Sequence, residues 1–374
     1  MQLSEVPTPQ VLIDRKRLVA NIGRMQRAAT DGSIALRPHT KTHKSPLIAR
    51  WQLDHGAQGI CCAKIGEAEV FADAGCSDIR LPYPINPSNA TRLAALMDRV
   101  HLSIAIDHLR VAENWSRFMV EHGKQLDVLV KVDVGYHRCG IDPDLQTAVK
   151  FLQHTASLPG LRLRGLLSHA GHSYNAKSDD ERVAIARDEA AILRNLANES
   201  RGVGVAIDEI SVGSTATALI SATETGLTEL RPGNYVYYDR SQVAIGSATL
   251  KDCALSVLAT VVSKPAEDRL ILDCGSKILT SDTGRGKVQP KGYGAVFTKL
   301  ETTTPDDTLF IDRLSEEHAV VIAENGSSRL EPGDRVRILP NHSCVVSNLV
   351  DTVYLVDDLT VVQSIPITAR GKVT

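Results

Sequence analysis

The feature that most constrains the fold of this chain is a regular alternation of short apolar runs and amphipathic stretches between residues 10 and 235. Such alternation is typical of repeated βα units, in which a helix follows each strand of a parallel sheet. Eight runs read as strands separated by helical segments, which favours a closed (β/α)8 barrel of the TIM type over an open doubly wound sheet. The predicted strands are 33–38, 59–64, 78–84, 101–107, 127–135, 163–171, 208–214 and 228–233.

The pattern changes after about residue 245, where apolar runs follow one another without intervening helices. This change indicates a second, β-rich domain. We therefore predict a barrel domain over 10–245 and a β-rich domain over 246–374, which residues 1–9 join. A glycine-rich, charged segment at 282–294 is predicted to be a loop.

Charge and composition narrow the classes of partner. The formal net charge is only -2 and no basic stretch stands out, so nucleic acid and anionic membranes are not expected partners. The N-terminus has no signal-peptide pattern and no run of about 18 apolar residues occurs, which predicts a cytoplasmic protein. The 7 cysteines form no CxxC pair, so neither a disulfide framework nor a four-cysteine zinc site is indicated.

The first predicted strand ends in the stretch Arg-Pro-His-Thr-Lys-Thr-His-Lys, residues 37–44. In a barrel the active site lies at the C-terminal ends of the strands, so polar residues at these ends are candidates. A cluster of two lysines and two histidines has two interpretations. One is a solvated basic loop; the other is a lysine whose pKa is lowered by neighbouring cations and that reacts with a carbonyl carbon.

Later strand ends carry further polar groups. Arg138 lies in a glycine-framed turn, where it either contacts a cofactor oxygen or forms a surface ion pair. Three titratable side chains, His169, His172 and Tyr174, follow the sixth strand, and such clustering at a barrel mouth favours a functional site. Two glycine-bearing loops, 213–215 and 233–235, are of the kind that holds a phosphate through backbone N–H groups.

One motif stands out in the second domain. His342 and Cys344 are two residues apart, and on an extended segment both side chains would point to one face. Imidazole and thiolate suit Zn²⁺ or a similar divalent ion, although a buried cysteine beside a turn histidine is the structural alternative. Two protein ligands leave positions for water or substrate.

Together these segments resemble the family of D-threonine aldolases, D-3-hydroxyaspartate aldolases and eukaryotic-type D-serine dehydratases, which has the alanine racemase fold. The resemblance extends from Thr8-Pro9 to Ala369-Arg370-Gly371 and is most specific over residues 37–44. It implies that pyridoxal 5'-phosphate is bound through Lys41. It assigns cofactor contacts to Arg138, His169, Gly213, Ser214, Thr215, Arg231, Gly233, Asn234 and Tyr235, metal binding to His342 and Cys344, and catalytic roles to Lys41 and His169. A general base must also take the substrate hydroxyl proton, and His172 and Tyr174, at the barrel rim after His169, are our candidates for it.

The resemblance leaves the reaction open. We favour retro-aldol cleavage of D-3-hydroxy-α-amino acids to glycine and an aldehyde, with D-serine or D-3-hydroxyaspartate dehydration as the alternative. Racemisation ranks third, since it would give the metal pair no task. A one-domain, non-enzymatic pyridoxal-phosphate-binding protein is disfavoured because this chain has a second domain. The resemblance further implies a homodimer and a zinc or manganese ion, and zinc suits the thiolate better.

Overall fold

The computed structural model describes residues 1–284, 286 and 288–374. Two residues of the loop predicted at 282–294, Arg285 and Lys287, lie outside this part of the chain. The strands are β1 Gln10–Asp14, β2 Ala35–Leu36, β3 Ile60–Cys61, β4 Asp78–Pro84, β5 His101–Ile106, β6 Leu126–Lys131, β7 Leu161–Leu167, β8 Glu209–Val212, β9 Glu229–Leu230, β10 Leu255–Ala266, β11 Arg269–Leu272, β12 Gly294–Phe297, β13 Leu309–Leu314, β14 Ala319–Ala323, β15 Arg335–Pro340, β16 Thr352–Asp357 and β17 Thr360–Pro366. The α-helices are α1 Arg15–Asp31, α2 Pro46–Asp54, α3 Ile65–Asp73, α4 Ala90–Met97, α5 Leu109–Glu121, α6 Leu145–Ser157, α7 Asp179–Gly202, α8 Ala218–Ser221, α9 Arg240–Ala244, α10 Ser276–Leu279 and α11 Ser343–Leu349.

The first sheet is the predicted barrel. Its 8 strands are parallel and run in the order β2-β9-β8-β7-β6-β5-β4-β3. A parallel bridge between His39 and Cys61 joins the two ends, so the sheet closes on itself. Strand β6 is buried along its whole length, as expected where helices cover a parallel sheet. Each predicted barrel strand overlaps an observed one, and the predicted fold class is confirmed.

The barrel helices begin where their sequences provide capping groups. Helix α7 is an example: the Ser178 hydroxyl accepts a hydrogen bond from the Glu181 N–H at 3.2 Å. Acidic residues occupy its first turn, where their negative charge interacts favourably with the positive end of the helix dipole.

Among the described residues, no helix is both long and apolar enough to span a bilayer.

The second sheet has 9 strands in the order β11-β14-β13-β12-β15-β10-β1-β16-β17 and encloses its own apolar core. Strand β1 pairs with β10 and β16, so Gln10–Asp14 lies in this sheet and not in the barrel, where the predicted boundary at residue 10 put it. Helices α10 and α11 of this domain differ from the prediction, which placed no helices between its apolar runs.

Candidate active site

A cavity of about 270 Å³ opens at the C-terminal ends of the barrel strands, where barrel enzymes have their active sites. The predicted site residues that line it are Lys41, Arg138, His169, Tyr174, Gly213, Ser214, Thr215, Arg231, Gly233, Asn234 and Cys344. A larger cavity, of about 370 Å³, lies beside the N-terminal segment, and none of the predicted site residues lines it. The side-chain chemistry, not the volume, therefore identifies the smaller cavity as the candidate active site.

Lys41 lies in a short 3-10 turn directly after β2, and its side chain lines the cavity. The other lysine of the segment, Lys44, forms a buried ion pair with Glu67 at 2.7 Å. His43 is also buried: its Nε2 lies 3.1 Å from Oε1 of Gln52, and burial lowers its pKa to about 4. The segment is thus an ordered part of the fold and not a solvated basic loop.

Arg138 and His169 both contact the aromatic ring of Tyr136, a residue that the sequence analysis did not single out. The Arg138 guanidinium lies 5.2 Å from the ring centre of Tyr136. The same ring packs edge-on against His169, with 5.6 Å between the ring centres. Tyr136 also sits where a side chain on Gly171 would be, so this close packing requires glycine at 171. Arg138 therefore contacts the site through Tyr136, and it forms no ion pair with another residue in the described part of the chain.

His169 is held in its neutral form. Burial, followed by the nearby Lys131 ammonium, lowers its pKa well below the usual value. Its Nδ1 forms a hydrogen bond with the Gly213 carbonyl oxygen, and a neutral ring can do this only by donating the Nδ1 proton. The opposite nitrogen, Nε2, is consequently an acceptor. A neutral, fixed imidazole suits a ring that packs against an aromatic cofactor.

The two glycine-bearing loops approach other backbone so closely that larger residues would not fit. A Cβ on Gly213 would lie 2.9 Å from the Arg231 Cβ, and one on Gly233 would lie 3.0 Å from the His39 carbonyl oxygen. The backbone N–H groups of Ser214, Thr215 and Gly233 donate to no other group in the described part of the chain. Since buried N–H groups are rarely left without an acceptor, these donors fit a phosphate.

Arg231 belongs to a buried chain of polar groups. Its Nε donates to the Ser211 hydroxyl at 2.6 Å, and that hydroxyl donates to Glu229 at 2.6 Å. Glu229 also pairs with Arg37 and Arg80, and these two guanidinium groups overcome the effect of burial and lower its pKa to about 2. The carboxylate stays charged and fixes Arg231 at the base of the cavity.

The His342 and Cys344 pair does not lie on an extended segment as expected. His342 is the N-cap of α11, and Cys344 lies in the first turn of that helix. The His342 Nδ1 lies 2.7 Å from Oδ2 of Asp282, so the carboxylate orients the imidazole and Nε2 is the nitrogen that would ligate a metal. The Cys344 Sγ lies 3.2 Å from the Thr42 hydroxyl. The donor set fits a zinc-type ion with positions left for water or substrate.

The described residues contain no group of three or more histidine, cysteine and acidic side chains able to hold a metal on their own. Three predicted site residues, His172, Tyr235 and His342, are not part of the cavity lining. The His172 ring packs against Gly135, and the Tyr235 hydroxyl accepts a hydrogen bond from Gln52 at 2.9 Å. Tyr235 contributes through its backbone, because its N–H donates to the Thr215 hydroxyl at 3.2 Å.

The family model for the alanine racemase N-terminal domain matches residues 13–241, and that for a putative serine dehydratase domain matches residues 254–356. A D-threonine aldolase from Arthrobacter sp is 35% identical, with 99% of this chain and 94% of the relative covered. The chain belongs to the D-threonine aldolase and D-serine dehydratase family. It is a pyridoxal-phosphate-dependent lyase.

Two further relatives carry different names from the first. D-threo-3-hydroxyaspartate dehydratase from Delftia sp. (strain HT23) is 34% identical, with 91% of this chain and 92% of the relative covered. A solved structure of D-threo-3-hydroxyaspartate dehydratase, a cysteine-to-alanine mutant in the metal-free form, has a TM-score of 0.91 and 31% identity, with 98% of each chain covered. Both aldolases and dehydratases therefore resemble this lyase along nearly its whole length.

Lys131 is a site residue that the sequence analysis missed, because it lies within an apolar run and not after it. It is 3% exposed and lines the cavity near Arg138. Burial, followed by the Arg231 charge, lowers its pKa from 10.5 to about 7. The lyase thus holds an amine that changes charge near neutral pH beside the lysine expected to carry the cofactor.

Lys131→Met is expected to stabilise the cofactor-free protein most at low pH. Between pH 7 and 10.5 the folded lysine has lost a proton that the unfolded chain keeps, so the stability of the wild type rises with pH across this window. Below pH 7 the buried charge carries its full penalty, and the variant should gain on the order of 5 kcal/mol, since the pKa falls from 10.5 to about 7 and each pKa unit is worth about 1.4 kcal/mol. Thermal unfolding at pH 6.5 and at about pH 10 measures the difference. An equal gain at both values would contradict it.

Asp282→Asn is expected to weaken metal binding about 10- to 100-fold, since such carboxylates orient the ligating imidazole. The change keeps the size of the side chain but removes the charge that faces His342 Nδ1. Competition with a chromophoric zinc chelator measures the dissociation constant. Asp312→Asn, at an exposed position of β13, is the matched control and should leave that constant unchanged. Equal affinities in the two variants would count against the role of Asp282.

Proposed function

We propose that this lyase cleaves D-3-hydroxy-α-amino acids by a retro-aldol reaction, giving glycine and an aldehyde. The proposal rests on one observation: residues expected to bind the cofactor and a residue expected to bind the metal lie in contact in one cavity. Cys344 contacts the hydroxyl of Thr42 at 3.2 Å, and Thr42 directly follows Lys41 in the chain. A substrate that reacts at two adjacent carbons requires such a juxtaposition of cofactor-binding and metal-binding residues.

When bound, pyridoxal phosphate supplies an acceptor for the electron pair at the substrate Cα, and a divalent ion supplies Lewis acidity to the 3-hydroxyl. The chain supplies the positioning. Lys41 would hold the cofactor covalently, and the N–H groups of loops 213–215 and 233–234 would hold its phosphate. Arg138 would bind the phenolic oxygen and Arg231 the pyridine nitrogen, and the neutral ring of His169 would pack beside the pyridine.

The remaining task is proton transfer. A base takes the 3-hydroxyl proton as the Cα–Cβ bond breaks and the carbonyl of the aldehyde forms, and Cα then takes a proton to give glycine. Of the two bases suggested by the sequence, Tyr174 lines the cavity and His172 does not. Lys131 also lines it, and a pKa of about 7 matches what a general base requires at neutral pH. We propose that Tyr174 and Lys131 share this task.

Dehydration is the second candidate, and the thiolate ligand favours it. The solved dehydratase in the metal-free form carries a cysteine-to-alanine substitution. Replacing Cys344 with alanine would be a comparable change in this chain. In a dehydratase the Cα proton is removed and the 3-hydroxyl leaves, so the products are a keto acid and ammonia.

The test is a product assay on the purified protein with pyridoxal phosphate and one metal at a time. D-Threonine, D-serine and D-threo-3-hydroxyaspartate are the substrates, and L-threonine is the stereochemical control. Glycine and aldehyde formed in equal amounts support the proposal. Keto acid and ammonia without glycine would establish the dehydratase instead, and inversion of configuration at Cα without either set of products would establish a racemase.

We also propose zinc as the resident ion, a homodimer as the assembly and the cytoplasm as the location. Metal analysis of protein purified without added metal tests the first, with zinc expected in preference to manganese because Cys344 supplies a soft sulfur ligand. Sedimentation equilibrium tests the second, and a mass near 40.5 kDa, that of one chain, would contradict it.

A further inference from the structure

A buried carboxylate, Asp239, lies between the loop proposed to hold the cofactor phosphate and the segment proposed to hold the metal. It is 1% exposed and N-caps α9, where its Oδ1 accepts a hydrogen bond from the Gln242 N–H at 3.1 Å. Its other oxygen is turned away from that helix. The capping role therefore uses only half of the carboxylate.

The second oxygen, Oδ2, bridges the two functional segments. It accepts a hydrogen bond from the side-chain amide of Asn234 at 2.6 Å and another from the Ser343 N–H at 3.1 Å. Asn234 belongs to the phosphate loop, and Ser343 stands between His342 and Cys344. One oxygen atom thus fixes both segments.

The Asn234 amide extends the bridge to the metal ligand itself. Its Nδ2 lies 3.1 Å from the Ser343 hydroxyl and 3.4 Å from the Cys344 Sγ. The thiolate that would bind a metal is therefore also an acceptor for a residue of the phosphate loop. Any ordering of Cys344 by a metal ion restrains Asn234, and any ordering of Asn234 by a phosphate restrains Cys344.

Neighbouring residues strengthen the same connection. The Ser241 hydroxyl donates to the Asn341 carbonyl oxygen at 2.7 Å, and Arg240 donates to the Asn341 side chain at 2.8 Å. The segment that begins with Asp239 is consequently joined to residues 341–343 at several points. The first segment follows the barrel strand β9 and the second follows β15 of the other sheet, so this contact is where the β-rich domain meets the barrel mouth.

We infer that Asp239 is a positioning residue that couples cofactor binding to metal binding, so that each tightens the other. The inference rests on the proposed function, since it requires that both groups bind in this cavity. Asp239 touches neither group and acts through Asn234 and Ser343. By linkage, the factor by which the metal improves cofactor affinity equals the factor by which the cofactor improves metal affinity.

The first test uses the wild-type protein freed of both groups. Pyridoxal phosphate is titrated with and without saturating zinc, and zinc is titrated with and without saturating pyridoxal phosphate, with fluorescence and absorbance as readouts. Both ratios of dissociation constants should be equal and lie between about 5 and 150. Failure to bind either group would overturn the proposed function, whereas tight binding of both with ratios near one would overturn only this inference.

The second test asks whether Asp239 is the residue through which metal binding and cofactor binding are coupled. In Asp239→Asn both ratios should fall to within about twofold of one, a change that general loss of stability does not produce. Ser343→Ala, which removes one hydroxyl from the bridge, should lower the ratios partway and serves if Asp239→Asn does not fold. Asp127→Asn changes a buried carboxylate that pairs with Arg162 in the barrel, and it should keep the wild-type ratios. Wild-type ratios in Asp239→Asn or in Ser343→Ala would overturn the inference.

Discussion

Replacing Lys41 with alanine is expected to abolish covalent attachment of pyridoxal phosphate and to lower kcat by at least about 10³-fold. Lys41 lines the cavity within reach of both glycine-bearing loops, whereas Lys44 is committed to its buried ion pair with Glu67. The loops remain intact in the variant, so the cofactor should still bind non-covalently. Borohydride reduction followed by peptide mass spectrometry locates the attachment site, and visible absorbance reports its loss.

Lys64→Ala is the matched control for this variant. Lys64 is exposed at the cavity mouth, and its ammonium lies 5.6 Å from the ring centre of Tyr83. Its removal should leave the covalent attachment in place. A reduced, labelled peptide recovered from the Lys41→Ala protein would show that another lysine carries the cofactor and that our assignment is wrong.

Removing the metal is expected to abolish turnover while leaving the cofactor in place when pyridoxal phosphate is in excess. Chelation and the variant His342→Ala should each lower kcat by on the order of 10²- to 10³-fold, because a Lewis acid contributes several kcal/mol to a charged transition state. Added zinc should restore the chelated wild type but not the variant. The cofactor absorbance measures occupancy in the same samples.

His318→Ala provides the control, since His318 is an exposed histidine of the same domain. It should respond to chelation and to added zinc as the wild type does. Full turnover in chelated wild-type protein, verified to be metal-free by elemental analysis, would exclude the proposed role of the pair.

The barrel could be predicted because the sequence of its strands carries a local signal. Most of them are short apolar runs that become buried, as β6 is along its whole length, and the polar residue that ends the run marks the side on which the site forms. The second domain was harder. Strand β12 has only four residues, and α11 is rich in β-branched residues that do not favour a helix, so neither gave a periodic signal.

The supporting residues of the site could not be predicted, because their partners are distant in the chain. Asp282 lies 60 positions before His342, and Asp239 lies 104 positions before Ser343. A lone aspartate in a loop carries no local signal of such pairing. Lys131 could not be predicted for a different reason. An apolar run predicts a strand equally well with or without one lysine, and the charge of that lysine depends on surroundings that the run does not reveal.

The place of β1 in the second sheet has a consequence for how the two domains are connected. The chain begins in the β-rich domain, enters the barrel at Arg15 and returns to the β-rich domain before β10, so the barrel is an insertion with two covalent crossings. A fragment cut near residue 245 would keep β1 but lose its neighbours β10 and β16. Recombination between relatives that keeps the barrel whole would therefore have to exchange both crossings together.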